Sequence, residues 1–167
     1  MLNRLIEYSQ SSWYWLGLFI LGLSMEGVAL FYQYFLDEPP CVLCIHVRVW
    51  VLGFTIIAAF AIFIKNQNFI KFAHTTNSIM MLGLIERSYQ LVGVERGFIF
   101  GSCNMESGLP DWFALDSWIP AVFEVQAACG YTPYLLFNIS MADGLIVMSV
   151  LLFLISIAFL IVSFVKD

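Results

Sequence analysis

Four long apolar stretches, separated by polar breaks, dominate the chain. Apolar residues run almost unbroken over about 13–35, 44–64, 72–92 and 144–165. A helix that crosses the hydrocarbon layer needs about 20 mostly apolar residues, so each stretch predicts a membrane-spanning helix. The breaks predict short connections at about 36–43 and 65–71 and a long loop at about 93–143. The expectation is an all-α membrane protein, one domain over 1–167, folded as a four-helix transmembrane bundle.

The breaks and interruptions carry the detail. Leu36-Asp37-Glu38-Pro39-Pro40 cannot continue a helix, yet proline is accepted in the first turn of the next one. The second helix is therefore expected to begin at about Cys41–Cys44. The third stretch is the least clean, with His74 near its start and Glu86-Arg87 towards its end. An adjacent acid and base there are expected to reach for the interface or pair locally. Glu26 lies near the middle of the first stretch, where a carboxylate is expensive to bury, and is expected to be protonated or paired inside the bundle. Residues 1–12 lack a cationic stretch, short apolar core and cleavage site, so no signal-peptide processing is expected. Within the long loop, Trp112 and Trp118 mix with aliphatics and with Asp111 and Asp116. That mixture predicts a short helix lying on the membrane surface with its tryptophans at headgroup level.

Charge placement orients the bundle. Lysine and arginine concentrate on the cytoplasmic side of membrane proteins. An even number of spans puts both termini on one side, together with Arg4, Lys65, Lys71 and Lys166. The opposite side holds Asp37, Glu38 and a loop with Glu95, Glu106, Asp111, Asp116, Glu124 and Asp143 against the single base Arg96. Both termini are therefore expected in the cytoplasm, and all four cysteines on the far, oxidising side. Composition agrees: 61% hydrophobic and 11% charged residues leave little polar surface for a soluble domain. A net charge of −5 without a basic cluster excludes a nucleic-acid partner.

Four cysteines allow three pairings. The spacings suggest Cys41 with Cys44, and Cys103 with Cys129. A two-residue gap gives a disulfide little structural value and is a redox spacing. The wider pair would close a loop of ordinary structural size. A zinc site is the main competitor, but Cys103 and Cys129 lie too far apart to supply the usual second close pair. The thiolate is the reactive species, and its pKa falls near a helix N-terminus or a cation. Cys44 is expected to have both, because Arg48 follows at i+4 on the same helical face. Snorkelling of Arg48 to the headgroups is the alternative, and His46, off that face, is read as an interfacial residue.

These residues resemble the DsbB family of bacterial inner-membrane disulfide bond formation proteins, essentially end to end. The resemblance rests on four spans, Pro-Cys-Val-Leu-Cys with Arg48, the two loop cysteines, Glu26, and the pattern Pro-x-Trp…Leu-Asp-x-Trp-x-Pro…Cys129. It implies a relay in which a reduced DsbA-like periplasmic thioredoxin-fold partner attacks the Cys103–Cys129 disulfide at Cys103. Cys129 then attacks Cys41, and Cys44 passes electrons to a membrane quinone, ubiquinone or menaquinone, held near Arg48. Catalytic roles thus fall on Cys41, Cys44, Cys103 and Cys129, and cofactor binding on Arg48 and Cys44, with no metal. The chain departs from the family pattern at His46 and Val47 and lacks a histidine after the third span. The resemblance would pass that histidine's role to Arg96 or Glu95. The glycine- and phenylalanine-rich Gly97–Gly101 points to altered partner choice, as in a specialised relative such as DsbI.

Two other readings stand beside this one. A carrier of reducing equivalents from cytoplasmic thioredoxin would need cysteines on the cytoplasmic side, where none is expected. A non-enzymatic membrane scaffold, its periplasmic loop stapled by structural disulfides, would resist mild reductant.

Overall fold

A computed structural model of the chain describes residues 8–100, 106–135 and 139–165. Its long helices are α1 (Ser12–Phe35), α2 (Val42–Phe63), α3 (Gln67–Glu95) and α6 (Met141–Val165). Two one-turn helices, α4 (Leu115–Trp118) and α5 (Pro120–Phe123), follow a short 3₁₀ turn at Asp111–Phe113. Helix α2 packs between α1 and α3, and α3 packs in turn against α6.

Local chemistry sets the helix ends. Ser11 caps α1 by accepting from the Trp13 amide at 3.2 Å, and Asn66 caps α3 by accepting from Asn68 at 3.0 Å, each satisfying an amide that has no partner within the helix. Helix α1 stops where Leu36 and Glu38 both donate back to the Tyr32 carbonyl. After α3 the chain reverses at Gly97, whose φ of +74° suits glycine. Phe98 and Ile99 then donate back to the Gly93 carbonyl at 3.0 Å. Because α1 and α2 are joined by a tight turn, they run antiparallel, and the turn, the loop and the start of α6 gather at one end.

Among the described residues, three helices are long and apolar enough to cross a membrane: α1, α2 and α6. Helix α3 is the longest, at 29 residues, but it is not apolar enough to join them. The stretch that was the least clean in the sequence thus does not qualify as the expected fourth apolar span. The physical reason is visible inside the fold. His74, Asn77, Ser78 and Ser88 of α3 are all buried, and the first three find partners inside the fold instead of lipid. Asn77 Nδ2 donates to Ser156 Oγ at 3.0 Å, Ser78 Oγ lies 2.9 Å from the same oxygen, and His74 Nε2 donates to the Ser9 carbonyl at 2.9 Å. Interhelical hydrogen bonds of this kind contribute roughly 0.6–2 kcal/mol each. Low hydropathy in α3 thus reflects a polar seam turned towards α6. Glu86 and Arg87 pair locally at 2.9 Å, as their adjacency predicts.

The apolar core is formed around Trp15, Phe54, Met81 and Leu84. Large apolar side chains also cover the outside, Ile20, Phe60, Ile79 and Leu154 among them, as expected of helices whose outer solvent is hydrocarbon. In the loop, the sequence predicts one surface helix over the Trp112–Trp118 region. The structure resolves it into a 3₁₀ turn and two separate helical turns, because Ala114 and Ile119 leave helical geometry. Trp112 and Trp118 point outward, while Leu115 and Phe123 pack with Ile45 of α2.

Candidate functional site

The Pro-Pro turn stops short of the helix, so Cys41 becomes the N-cap of α2, in extended geometry. Its Sγ accepts a hydrogen bond from the Cys44 amide at 3.3 Å. Both cysteines are free thiols, the reduced form of the pair. Cys41 is only 2% exposed. The Cys44 thiol, hydrogen-bonded to it, holds the Cys41 thiol below its ordinary value against the opposing effect of burial, with help from nearby backbone amides. The sequence assigned the help of the helix terminus to Cys44. In the structure the backbone donor is aimed at Cys41, because a capping side chain reaches the free amides and a residue inside the first turn does not.

The long loop docks on this dithiol. Gln126 and Ala127 donate their amides to the Pro40 carbonyl at 3.0 and 3.2 Å. Two residues on, Cys129 packs, as Cys44 does, against the small buried cluster that contains Cys41. Cys129 is disulfide-bonded. Cys103 lies outside the described residues.

Arg48 is buried, at 5% exposure, so it does not snorkel. Its Nη1 donates to Gln33 Oε1 at 2.7 Å and to the Val122 carbonyl at 2.6 Å. Its Nη2 donates to the Ala29 carbonyl at 3.2 Å. One guanidinium therefore joins α1, α2 and α5. Tyr34 adds a second tie between α1 and this segment through its hydroxyl, which donates to the Ala121 carbonyl at 2.6 Å.

Behind Cys44 and Arg48 lies a cavity of about 380 Å³, within the range of small-molecule sites. Its walls are mostly apolar, Met25, Val51, Leu145 and Met148 among them, and Cys44, Arg48 and Glu26 all line it. Both carboxyl oxygens of Glu26 are buried without a hydrogen-bond partner. The chamber is thus mostly apolar and carries one guanidinium, one thiol and one carboxyl without a hydrogen-bond partner.

Several sequence readings change here. His46 is no interfacial bystander: its Nε2 lies 2.7 Å from the Ser107 carbonyl, which can only accept, so the ring donates and ties α2 to the loop. Arg96 pairs with Asp143 at 2.6 Å, and Glu95 accepts from Thr132 and Ser140 at 2.6 and 3.1 Å. Neither Arg96 nor Glu95 lines the cavity, so neither stands in for a missing histidine there. Gln33, which the sequence reading left out, carries a visible signal. Glu26, Ala29 and Gln33 fall at i, i+3 and i+7, one face of α1, so the carboxyl that lines the cavity and two of the acceptors for Arg48 share that face.

Fold and site together define a class: a helical membrane protein of thiol–disulfide chemistry, its dithiol set between a docked loop and an apolar cavity. The sequence model of a family described as "Disulfide bond formation protein DsbB" matches residues 11–159. The chain belongs to the DsbB family and is thereby a disulfide-forming oxidoreductase of the membrane. It is 27% identical over 144 residues to a Disulfide bond formation protein B of Shewanella denitrificans, covering 85% of this chain and 82% of that one. It is 29% identical over 147 residues to Disulfide bond formation protein B 2 of Pseudomonas aeruginosa, covering 84% of this chain and 85% of the relative. A Vibrio vulnificus protein of the same description is 27% identical over 147 residues, covering 84% and 83%.

Proposed function

We propose that this chain re-oxidises a periplasmic thioredoxin-fold disulfide donor of the DsbA kind and passes the electrons to a membrane quinone. The observation that carries this reading is the position of the Cys41–Cys44 pair. Cys129 packs against the Cys41 cluster on one side, and Cys44 lines the cavity on the other. In this reading the reduced partner attacks Cys103, and Cys129 then attacks Cys41. Cys44 leaves as a thiolate. Cys103, freed when the oxidised partner departs, then attacks Cys129 and releases Cys41, and the Cys41–Cys44 dithiol so formed gives up two electrons and two protons as its disulfide re-forms. The quinone, when bound, supplies the two-electron, two-proton acceptor. Arg48 and Cys44 would hold it, with the apolar wall excluding water and the fixed guanidinium favouring negative charge. Lysines at one end and acids at the other support termini in the cytoplasm and cysteines in the periplasm, with α3 as a fourth span.

The test mixes the purified full chain with a reduced DsbA-like protein and a short-chain quinone and follows quinone absorbance. Partner-dependent reduction is expected, lost in Cys44→Ser and, for want of a productive mixed disulfide, in Cys103→Ala. Normal reduction by either variant overturns the relay. Inertness of the wild type, with disulfides that resist mild reductant, returns the scaffold reading.

A further inference from the structure

Glu26 lines the cavity wall, and the relay leaves it without a task. Both of its oxygens are buried and accept no hydrogen bond. Arg48 is near, yet it donates to Gln33, Ala29 and Val122, all neutral oxygens. A carboxylate buried at membrane depth without a donor is far costlier than a carboxylic acid. The side chain nevertheless lines the same chamber as Cys44 and Arg48. The other titratable groups on that wall are Glu38, Tyr32 and Tyr131, while α6 brings only apolar residues such as Met141, Leu145 and Met148.

Resting on the function proposed above, we infer that Glu26 is the proton-carrying carboxyl of this cavity. The need for one follows from the balance of the reaction. Closing the Cys41–Cys44 disulfide breaks two S–H bonds, forms one S–S bond and releases two electrons and two protons. Reducing a quinone to its hydroquinone consumes two electrons and two protons and forms two O–H bonds. The electrons can pass between groups in contact, but protons need a carrier in a chamber walled by apolar side chains. Glu26 gives its proton to a quinone oxygen and recovers one from a thiol as the pair is oxidised, and a second such cycle carries the second proton, leaving Glu26 protonated. Arg48 offers charge and hydrogen bonds but holds its protons too tightly to donate them. Glu26 therefore acts as a general acid and Arg48 as a fixed electrostatic support.

Two measurements test this. Infrared spectroscopy of the quinone-free protein, with isotope-labelled glutamate, is expected to show a protonated carboxyl band that disappears in Glu26→Gln. With a short-chain quinone, Glu26→Gln is expected to slow hydroquinone formation roughly 100-fold, the usual scale of a lost general acid. Glu26→Asp, which keeps the acid, is expected to recover much of that rate. Only ionised carboxylate at Glu26, or Glu26→Gln reducing quinone at the wild-type rate, overturns the inference alone. A wild type that reduces no quinone overturns the function it rests on, and this role with it. Should Glu26→Gln fail to fold, the labelled wild-type spectrum still decides the protonation state.

Discussion

The amide of Cys44 points at the sulfur of Cys41 from 3.3 Å, so the first cysteine of the pair caps the helix that carries the second. The shape of the turn imposes this. Pro39 and Pro40 have no amide hydrogens to offer, and the first polar side chain able to reach the free amides of α2 is the Cys41 thiol. The thiol of Cys44 and then nearby backbone donors favour the Cys41 thiolate against burial, and Cys41 also sits at the positive end of the helix dipole.

In the reduced protein, Cys41 is expected to ionise at lower pH than an ordinary thiol, because the Cys44 thiol and backbone amides favour its thiolate. The sign is that of a depressed acid: the thiolate persists as pH falls below the range where a free cysteine would take up its proton. Alkylation followed by mass spectrometry across a pH series reads this, with Cys44→Ala, which removes the side-chain donor, moving the Cys41 midpoint upward. A Cys41 midpoint at or above that of free cysteine, unmoved by Cys44→Ala, would contradict this account.

His46 holds the loop, and the hydrogen-bonding direction decides which substitutions matter. Its ring donates to the Ser107 carbonyl, and Ser107 Oγ donates to Asp116 at 2.5 Å. His46→Phe keeps bulk but leaves a buried carbonyl without its donor, at a cost of about 1–3 kcal/mol. Faster limited proteolysis between residues 106 and 118 is expected. His46→Gln, which can still donate from its side-chain amide, is expected to stay close to wild type. Equal proteolysis of all three proteins would show that the loop is held elsewhere.

Helices α1 and α2 approach closely at Gly22, where an added Cβ would lie 1.9 Å from Thr55 Oγ1. Thr55 Oγ1 is itself held by the Val51 carbonyl at 2.7 Å, so it cannot turn aside freely. Gly22→Ala is expected to destabilise the protein by about 1–3 kcal/mol, the usual cost of overpacking. Thr55→Ala in the same chain removes the clashing oxygen and is expected to restore part of the loss. Thermal unfolding in detergent of both single variants and the double variant measures this coupling.

Much of this architecture was legible in the sequence, and the rest was hidden for a definite reason. Apolar runs located the long helices to within a few residues, since hydrocarbon thickness fixes how many residues a span needs. The Pro-Pro turn placed the dithiol at a helix mouth, and the i+4 spacing put Arg48 near Cys44. Periodicity could not name the partners of Arg48, because Val122 lies 74 positions away in a loop without a repeat. It could not foresee that α3 keeps its polar residues inside, since Ser156, which receives Asn77, is 79 positions distant. The cavity escaped for the same reason: its walls come from α1, α2, α3, α6 and the loop, segments whose meeting no local pattern records.

Arg48 joins the loop to the cavity, and its substitution is expected to disturb both at once. The guanidinium satisfies oxygens on Gln33, Ala29 and Val122 in a fork that a lysine ammonium cannot reproduce. Arg48→Lys keeps the positive charge, so a site that needed charge alone would tolerate it. The geometry predicts otherwise. With at least one acceptor left buried and unsatisfied, stability falls by about 1–3 kcal/mol per orphaned oxygen, and the α5 segment loses its Val122 tie to α2, keeping only the Tyr34–Ala121 tie to α1. On the proposed quinone chemistry, short-chain quinone titration and loop proteolysis on the same preparation separate the two readings. Weaker binding together with faster cleavage near Val122 is expected in Arg48→Lys, and still more in Arg48→Leu. Weakened binding with an unchanged cleavage pattern would mean that Arg48 serves the cavity only, and that the Val122 contact does not couple the loop to it.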